Sequence, residues 1–421
     1  MVERRDFIRA AGVGAGVLAA GAPASLAAQT WRDQEVPAAI AALEKRDAPP
    51  AITEAERASR RASARELMGR QGLAAMFIEP GPTLDYYAGV PWHRSERVFG
   101  MLLPQRGDPV FVCPGFEEER ARSEIQGRFG VRVWQEEESP YRLLADLLRA
   151  RGHATGRVGV DESARYFVAV GLAAAAPALE VVSAARVTHA MRGRKSAHEI
   201  EIIRFANRVT QEAYGAAFET LHVGMTQAEL AGTVSTAMQR LGYAGSALVL
   251  FGEASAYPHG VDDPKPLAEG DVVLVDGGLS VHGYRSDMTR TVAFGTPAPE
   301  VETVFGIVQE AQQAALAAAK PGRPAGGVDA AARGVITRAG YGPGYKYFSH
   351  RLGHGIGLEG HEWPYLVKDN PLELEPGMTF SDEPGIYQYG KFGLRLEDIM
   401  VITEDGAALM TPPAKSVHEI S

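Results

Sequence analysis

Four acids stand in two pairs in the C-terminal half of the chain, placed as ligands for cations would be. Asp276 and Asp287 lie in VDGGLSVHGYRSDMTRT (275–291), and Glu383 and Glu397 lie in SDEPGIYQYGKFGLRLED (381–398). The run DVVLVD reads as a buried strand, and an ionised carboxylate at its inner end is costly unless something positive faces it. If 271–294 forms a hairpin, Asp276 and Asp287 are equidistant from a turn centred between Val281 and His282. Such positions face each other, with Cβ atoms about 5 Å apart. Glu383 and Glu397 are likewise symmetric about Gly390, in YGKFG, which is credible turn chemistry. A bulge in either strand would break this arithmetic. Four clustered carboxylates repel and raise one another's pKa values. One divalent cation leaves two negative charges over, whereas two cations neutralise all four.

Between the hairpins lies FSHRLGHGIGLEGHEWPYL (348–366). Gly353, Gly355 and Gly357 disfavour a helix, so the HxxxH spacing of His350 and His354 is not a helical zinc motif. On a strand the two imidazoles would share a face. His361 and His259, the latter in YPHG, add two more. Oxygen-rich ligation with one imidazole suits Mn²⁺, with Zn²⁺, Co²⁺ and Fe²⁺ as alternatives. Two such ions about 3.5–4 Å apart can share a hydroxide and polarise a carbonyl, which is hydrolytic chemistry.

Each group also has a plainer role open to it. Asp287 could pair with Arg285 or Arg290, Glu397 with Arg395, and Glu383 could cap a turn. The histidines could make ordinary hydrogen bonds. Their joint fall on matching strand positions favours the metal pair. Other chemistries are poorly supplied. Gly355, Gly357 and Gly360 spell GxGxxG, but Pro364 stands where a pyrophosphate-binding helix should run. A serine hydrolase would need GxSxG, which is missing. Cys113, the only cysteine, offers neither a disulfide framework nor a cysteine metal cluster.

The elements that must position these groups can be read in outline. Thr53 and Glu56 have capping-box spacing ahead of a helical ERASRRASARELMGRQG. LAAMFIEP, LDYYAGV, VFGMLLP and PVFVCP read as strands, followed by helical EEERARSEIQGRF and YRLLADLLRARG. An α/β domain over 51–185 is expected, with a catalytic domain over 186–421. VTHAMRGRKSAHEIEIIRFANRV reads as a linker entering a long helix. Thereafter one pattern recurs: VGMTQAELAGTVSTAMQRLGY (223–243) and PGRPAGGVDAAARGVITRAGY (321–341) have equal length, and both follow a longer helical run, 197–220 and 299–319. Each is followed by a strand and a hairpin. The fold class is therefore α+β with an internal repeat.

At 421 residues, with 45% hydrophobic and 23% charged residues, the composition is that of a globular protein of two or three domains. A net charge of −9 argues against a nucleic-acid partner, and no internal run reaches membrane-spanning length. The start, ERRDFIRAAGVGAGVLAAGAPASLAA, pairs Arg4 and Arg5 with Phe7, an apolar Gly/Ala run and small residues. A twin-arginine export signal over 1–28 is expected, then a lead-in over 29–50 and a periplasmic or extracellular location.

Together, DGGLSVHGYRSDMTRT, HRLGHGIGLEGHE, EPGIYQYGKFG and RLED resemble the pita-bread metallopeptidases: aminopeptidase P, prolidase and methionine aminopeptidase, with metal-free creatinase as a relative. The resemblance covers roughly 190 to 405, and more loosely the preceding segment is similar to the creatinase-like N-terminal domain of the Xaa-Pro branch. It implies that Asp276 holds one metal, that Asp287 and Glu397 bridge both, and that His354 and Glu383 bind the second. It further implies a shared hydroxide as nucleophile, with Glu383 handling its proton. His361 and His259 match non-ligand histidines that stabilise the tetrahedral intermediate and the leaving proline nitrogen. His350 resembles the histidine lining the proline pocket, and Arg395 and Tyr387 occupy positions tied to substrate-carboxylate contact and site organisation. Proline-containing peptides as substrates and a homodimer or higher homo-oligomer follow from the same resemblance. A prolidase-like dipeptidase is the expected activity. Aminopeptidase P is the alternative, and a non-peptidase hydrolase or binding module of the same fold is a remoter one.

Overall fold

The computed structural model describes residues 36–258 and 260–419. The expected export signal, the first part of the lead-in and His259 lie outside them. Among the described residues no helix is long and apolar enough to cross a membrane.

After one short helical turn, Ala38–Ala41, the helix Glu54–Gln71 starts on the capping box read from the sequence. Thr53 accepts from the Glu56 N–H, and the Glu56 side chain accepts from the Thr53 N–H. Six strands follow: β1 (Leu73–Ile78), β2 (Gly100–Pro104), β3 (Val110–Pro114), β4 (Gly130–Trp134), β5 (Gly156–Val160) and β6 (Leu179–Ser183). They form one mixed sheet in the order β4-β3-β2-β1-β5-β6. One expectation fails here. LDYYAGV belongs to a helix, Pro82–Ala88, and not to a strand. Pro82 at its first turn suits helix initiation, and Gly89, at φ 58°, closes it in the left-handed region that glycine tolerates. The aromatic content that favours a strand is overridden by the two ends.

The catalytic half carries β7 (Gly245–Phe251), β8 (Val272–Val281), β9 (Tyr284–Arg285), β10 (Met288–Ala293), β11 (Gly353–Gly355), β12 (Glu362–Leu366), β13 (Thr379–Asp382), β14 (Gly385–Gln388), β15 (Phe392–Arg395), β16 (Asp398–Ile402) and β17 (Ala407–Leu409). The internal repeat is realised in space. A 22-residue helix, Ala197–Phe218, and a 14-residue helix, Gln227–Arg240, precede β7 and the first hairpin. Helices Pro299–Ala318 and Ala325–Arg338, of 20 and 14 residues, precede the second set of strands. Both 14-residue helices begin four residues into the paired segments noted in the sequence. This is the pseudo-two-fold, pita-bread arrangement.

One apolar core runs from the N-terminal domain (Met68, Tyr87) into the first half-repeat (Ile203, Val275), whereas the second half-repeat has its own core around Val304, Phe348 and Phe380. A buried ion pair, Arg60 with Glu199, ties the two domains together. Within the catalytic half, Arg192 and Lys195 both pair with Glu362. Glu362 begins β12 and no helix follows the glycines, so the GxGxxG match is a strand connection.

Candidate active site

Each hairpin delivers two acids, but the registers differ. In the first, His282 and Gly283 form the two-residue turn, at φ 50° and 87°. Positive φ at both positions suits the right-handed twist of flanking strands. The symmetry axis therefore lies between 282 and 283, one residue later than the sequence arithmetic placed it. Asp276 faces Thr289 and not Asp287. Asp287, two residues before Thr289, stays on the same face as a diagonal neighbour of Asp276. The strand is interrupted between β9 and β10 at Ser286–Asp287. Gly278 permits that packing, since a Cβ there would lie 2.1 Å from the Ser286 carbonyl oxygen.

The second hairpin has the predicted axis. Asp382 pairs with Asp398 and Gly385 with Arg395, both symmetric about Gly390, so Glu383 and Glu397 sit at equivalent places between the two ladders. A single antiparallel bridge between Thr289 and Glu397 joins the hairpins. Through it the four acids meet. Ligand atoms of Asp276, Asp287 and Glu397 lie within 4.8 Å of one another, as do those of His354, Glu383 and Glu397.

His354 shows what these groups are arranged to hold. Its Nδ1–H can only donate to the Gly355 carbonyl, 3.0 Å away, so the neutral ring offers an Nε2 lone pair. That lone pair stands 3.3 Å from Glu383 Oε1 and 3.8 Å from Asp287 Oδ2. Three acceptors face one another, a geometry that needs a cation between them. A ring whose second nitrogen is fixed by a carbonyl is the usual support for a metal-binding imidazole. Burial and then the neighbouring negative charges push Asp287 and Glu397 well above the usual carboxylate range. Burial pushes Glu383 up to about 7 and His354 down to about 3. The residues fit divalent cations.

Hydroxyls and a guanidinium orient the acids. Thr289 Oγ1 donates to Glu397 Oε2 at 2.7 Å, and Ser381 Oγ donates to Glu383 Oε1 at 3.0 Å while accepting from the His354 N–H. Arg395 donates from Nη2 to Asp276 Oδ2 at 2.5 Å, from Nε to Thr289 Oγ1 and from Nη1 to the Tyr387 hydroxyl. Its three nitrogens are thus bonded within the protein, which fits site organisation better than substrate contact. Tyr387 in turn bonds His350 Nε2 at 2.8 Å, with His350 Nδ1 donating to the Arg351 carbonyl. Thr289 and Ser381 were missed in the sequence. Their signal was present, since each lies two residues from an acid on a strand and so shares its face.

The groups line one cavity of about 350 Å³ together with Leu248, Pro258 and Arg351. His361 stacks on His354 with ring centroids 3.7 Å apart and is 64% exposed toward that space. His350 lines the cavity from outside any strand, not from the same strand as His354. The plainer ion pairs do not form. Arg290 pairs with Asp398, and Arg395 with Asp276.

Comparison with known proteins follows the same division of the chain. Residues 201–404 match the model of metallopeptidase family M24, and residues 60–193 match the creatinase/prolidase N-terminal domain. The probable dipeptidase PepE of Mycobacterium tuberculosis is 39% identical over 344 residues, covering 80% of this chain and 89% of that protein. The Xaa-Pro dipeptidase of Lactobacillus helveticus is 35% identical over 353 residues, covering 82% and 94%. The crystal structure of dipeptidase PepE from Mycobacterium ulcerans superposes with a TM-score of 0.82 at 36% identity, covering 88% of this chain and 99% of that one. With the hairpins, the acids and the preceding α/β domain all in their places, the chain belongs to metallopeptidase family M24.

Proposed function

We propose that this metallopeptidase is a prolidase-like Xaa-Pro dipeptidase working with two divalent metal ions, manganese first among them, with cobalt, zinc or iron as alternatives. One observation carries the reading: an unprotonated His354 Nε2 and four carboxylates converge in an open cavity of about 350 Å³, room for a small peptide. The relatives named as dipeptidases and Xaa-Pro dipeptidases support the substrate class. In this reading Asp276 would hold one ion and His354 and Glu383 the other, with Asp287 and Glu397 serving both. Bound there, the ions would polarise the scissile carbonyl and acidify the attacking water.

The chain's own groups do the rest. Glu383, with Oε1 held by Ser381, takes the proton of the attacking water. His361, on the exposed side of His354, donates to the oxygen that gains negative charge, and His259 serves the leaving proline nitrogen. His350, fixed by Tyr387, walls the space for the proline ring. Export by the twin-arginine route to the periplasm and a homodimer belong to the same reading. Cell fractionation and solution mass measurement test them.

Metal analysis together with hydrolysis of Ala-Pro and Ala-Pro-Pro tests the core. Cleavage of Ala-Pro with bound metal is expected. Cleavage of the tripeptide alone would assign a Xaa-Pro aminopeptidase. Protein without stoichiometric metal, inert with added Mn²⁺ or Co²⁺, would leave a binding module of the same fold.

A further inference from the structure

We infer that a monovalent cation, sodium or potassium, is held between Asp382 and Asp398, on the far side of the strands that present Glu383 and Glu397 to the catalytic cavity. Side chains alternate along a strand. Ser381 is bonded to Glu383 and to the His354 N–H, so Asp382, between Ser381 and Glu383, faces the other way. Glu397 is bonded to Thr289 of the first hairpin, and Asp398 beside it likewise turns back. The two aspartates are register partners of β13 and β16, which sets them side by side on one face. Helix Pro299–Ala318 covers that face, and its Gln312 bonds both residues. Both aspartates are 0% exposed.

Their surroundings differ. Asp398 Oδ1 accepts from Arg290 Nη2 at 2.6 Å and from Thr411 Oγ1 at 3.1 Å, and its Oδ2 accepts from Gln312 Nε2 at 3.1 Å. Among the described residues neither carboxylate oxygen of Asp382 has a hydrogen-bond partner, and the charged groups beside it are Asp398 and Glu383, both acids. A buried carboxylate with neither donor nor counter-charge is among the costliest groups a fold can carry. Glu383 belongs to the divalent site on the other face. Behind it two aspartates meet one guanidinium, and −2 with +1 leaves −1. A proton would remove that charge, but a carboxyl O–H also needs an acceptor, and none reaches either oxygen. A water molecule would supply donors and leave the charge. A monovalent cation supplies the missing charge and takes carboxylate and amide oxygens as ligands, whereas a divalent ion would leave one positive charge over. Gln312 donates to the Asp382 carbonyl and to Asp398 Oδ2, and with its amide turned over it would offer Oε1 to the same ion.

The test follows Tm of the full chain, loaded with Mn²⁺, in the chlorides of sodium, potassium and tetramethylammonium at equal ionic strength. Tetramethylammonium is too large for a buried site. The wild type should gain several degrees in sodium or potassium, saturably with concentration, as a ligand bound only by the folded state requires. Asp382→Asn, which keeps the shape and removes the charge, should melt at one temperature in all three salts. Rubidium replacing potassium in crystals should give an anomalous peak between residues 382 and 398. Equal Tm for the wild type in the three salts, or a variant that responds as the wild type does, would overturn the inference. Should Asp382→Asn fail to fold, Asp382→Ser carries the same comparison. Since Mn²⁺ fills the divalent sites throughout, metal-dependent hydrolysis together with a Tm indifferent to sodium and potassium would sink this inference and leave the catalytic reading standing.

Discussion

The hydroxyl of Thr289 stands 2.7 Å from Oε2 of Glu397 and ties the first hairpin to the second across 108 residues of sequence. The same hydroxyl accepts from Arg395 Nε at 3.0 Å, so its proton is directed at Glu397 and that carboxylate has one orientation. Removing such support lowers metal affinity by roughly 10–100-fold in comparable sites. Thr289→Val, which keeps the shape and loses the hydroxyl, is expected to weaken Mn²⁺ binding to the apo-protein by that order in calorimetric titration. Thr289→Ser should restore most of it. Equal affinity in all three proteins would mean that Glu397 is positioned by the backbone bridge alone.

Metal removal has a pH signature. In the metal-free protein burial holds Glu383 at about 7, above the 4.5 of an unperturbed glutamate, and drives Asp287 and Glu397 upward too. The folded state therefore binds more protons than the unfolded state between these values. Stability falls as pH rises wherever that is so. Apo-protein should be most stable below about pH 4.5 on this account and lose stability progressively through pH 7. The loaded protein should lack that loss, and metal at 100 times its Kd adds about 2.7 kcal/mol. Chelation should thus lower Tm more at pH 8 than at pH 5. A chelation effect that shrinks with rising pH would contradict the clustering of these acids.

The sequence carried the parts of the fold that depend on local periodicity and end signals. The capping box at Thr53/Glu56, the repeated 14-residue helices and the Gly390 axis all rest on residues near one another in the chain. The first hairpin was misplaced by one residue because the turn is set by two positive-φ residues, His282 and Gly283, and a histidine is an unusual carrier of that conformation. LDYYAGV was misread because Pro82 and Gly89, which start and end a helix there, lie at or beyond the edges of the segment's apolar run. That Arg395 would be engaged within the protein depends on Asp276, Thr289 and Tyr387 meeting in space.

The two domains are also joined by a titratable pair. Glu56 accepts from the Thr53 N–H and hydroxyl, both at 2.7 Å, and from His198 Nδ1 at 2.7 Å. His198 Nε2 faces the Pro50 carbonyl at 2.9 Å, so both ring nitrogens meet acceptors and the imidazolium is favoured. Burial raises the Glu56 carboxyl, but the bonds from Thr53 and His198 outweigh it and bring it down to about 2. The bond to Glu56 raises His198. The glutamate's contribution is complete above about pH 4.5 and is lost as pH falls toward 2. The histidine's is complete below about pH 6.5 and is lost as pH rises through its raised value. Glu56→Gln is therefore expected to cost about 1 kcal/mol in urea denaturation near pH 5.5, partial exposure keeping it modest. That gap should narrow at both pH extremes. A gap constant from pH 3 to pH 9 would show that the ion pair contributes nothing beyond the cap.

Trp92, in PWHRSERVFG, has the size and setting of a residue that could reach an active site, its own or a neighbouring subunit's. Its ring instead lies flat against Phe99, with centroids 4.0 Å apart and planes at 6°, and the Arg120 guanidinium covers the ring at 4.3 Å. At 9% exposure it belongs to the core shared by Phe99 and Phe111. Truncating a buried tryptophan costs about 3–5 kcal/mol through lost transfer energy and the cavity left behind. Trp92→Ala is thus expected to lower Tm by several degrees and to leave KM for Ala-Pro unchanged. Trp92→Phe, which keeps the stack on Phe99, should lose much less stability. A raised KM in Trp92→Ala with Tm intact would reverse the assignment and place this indole against substrate.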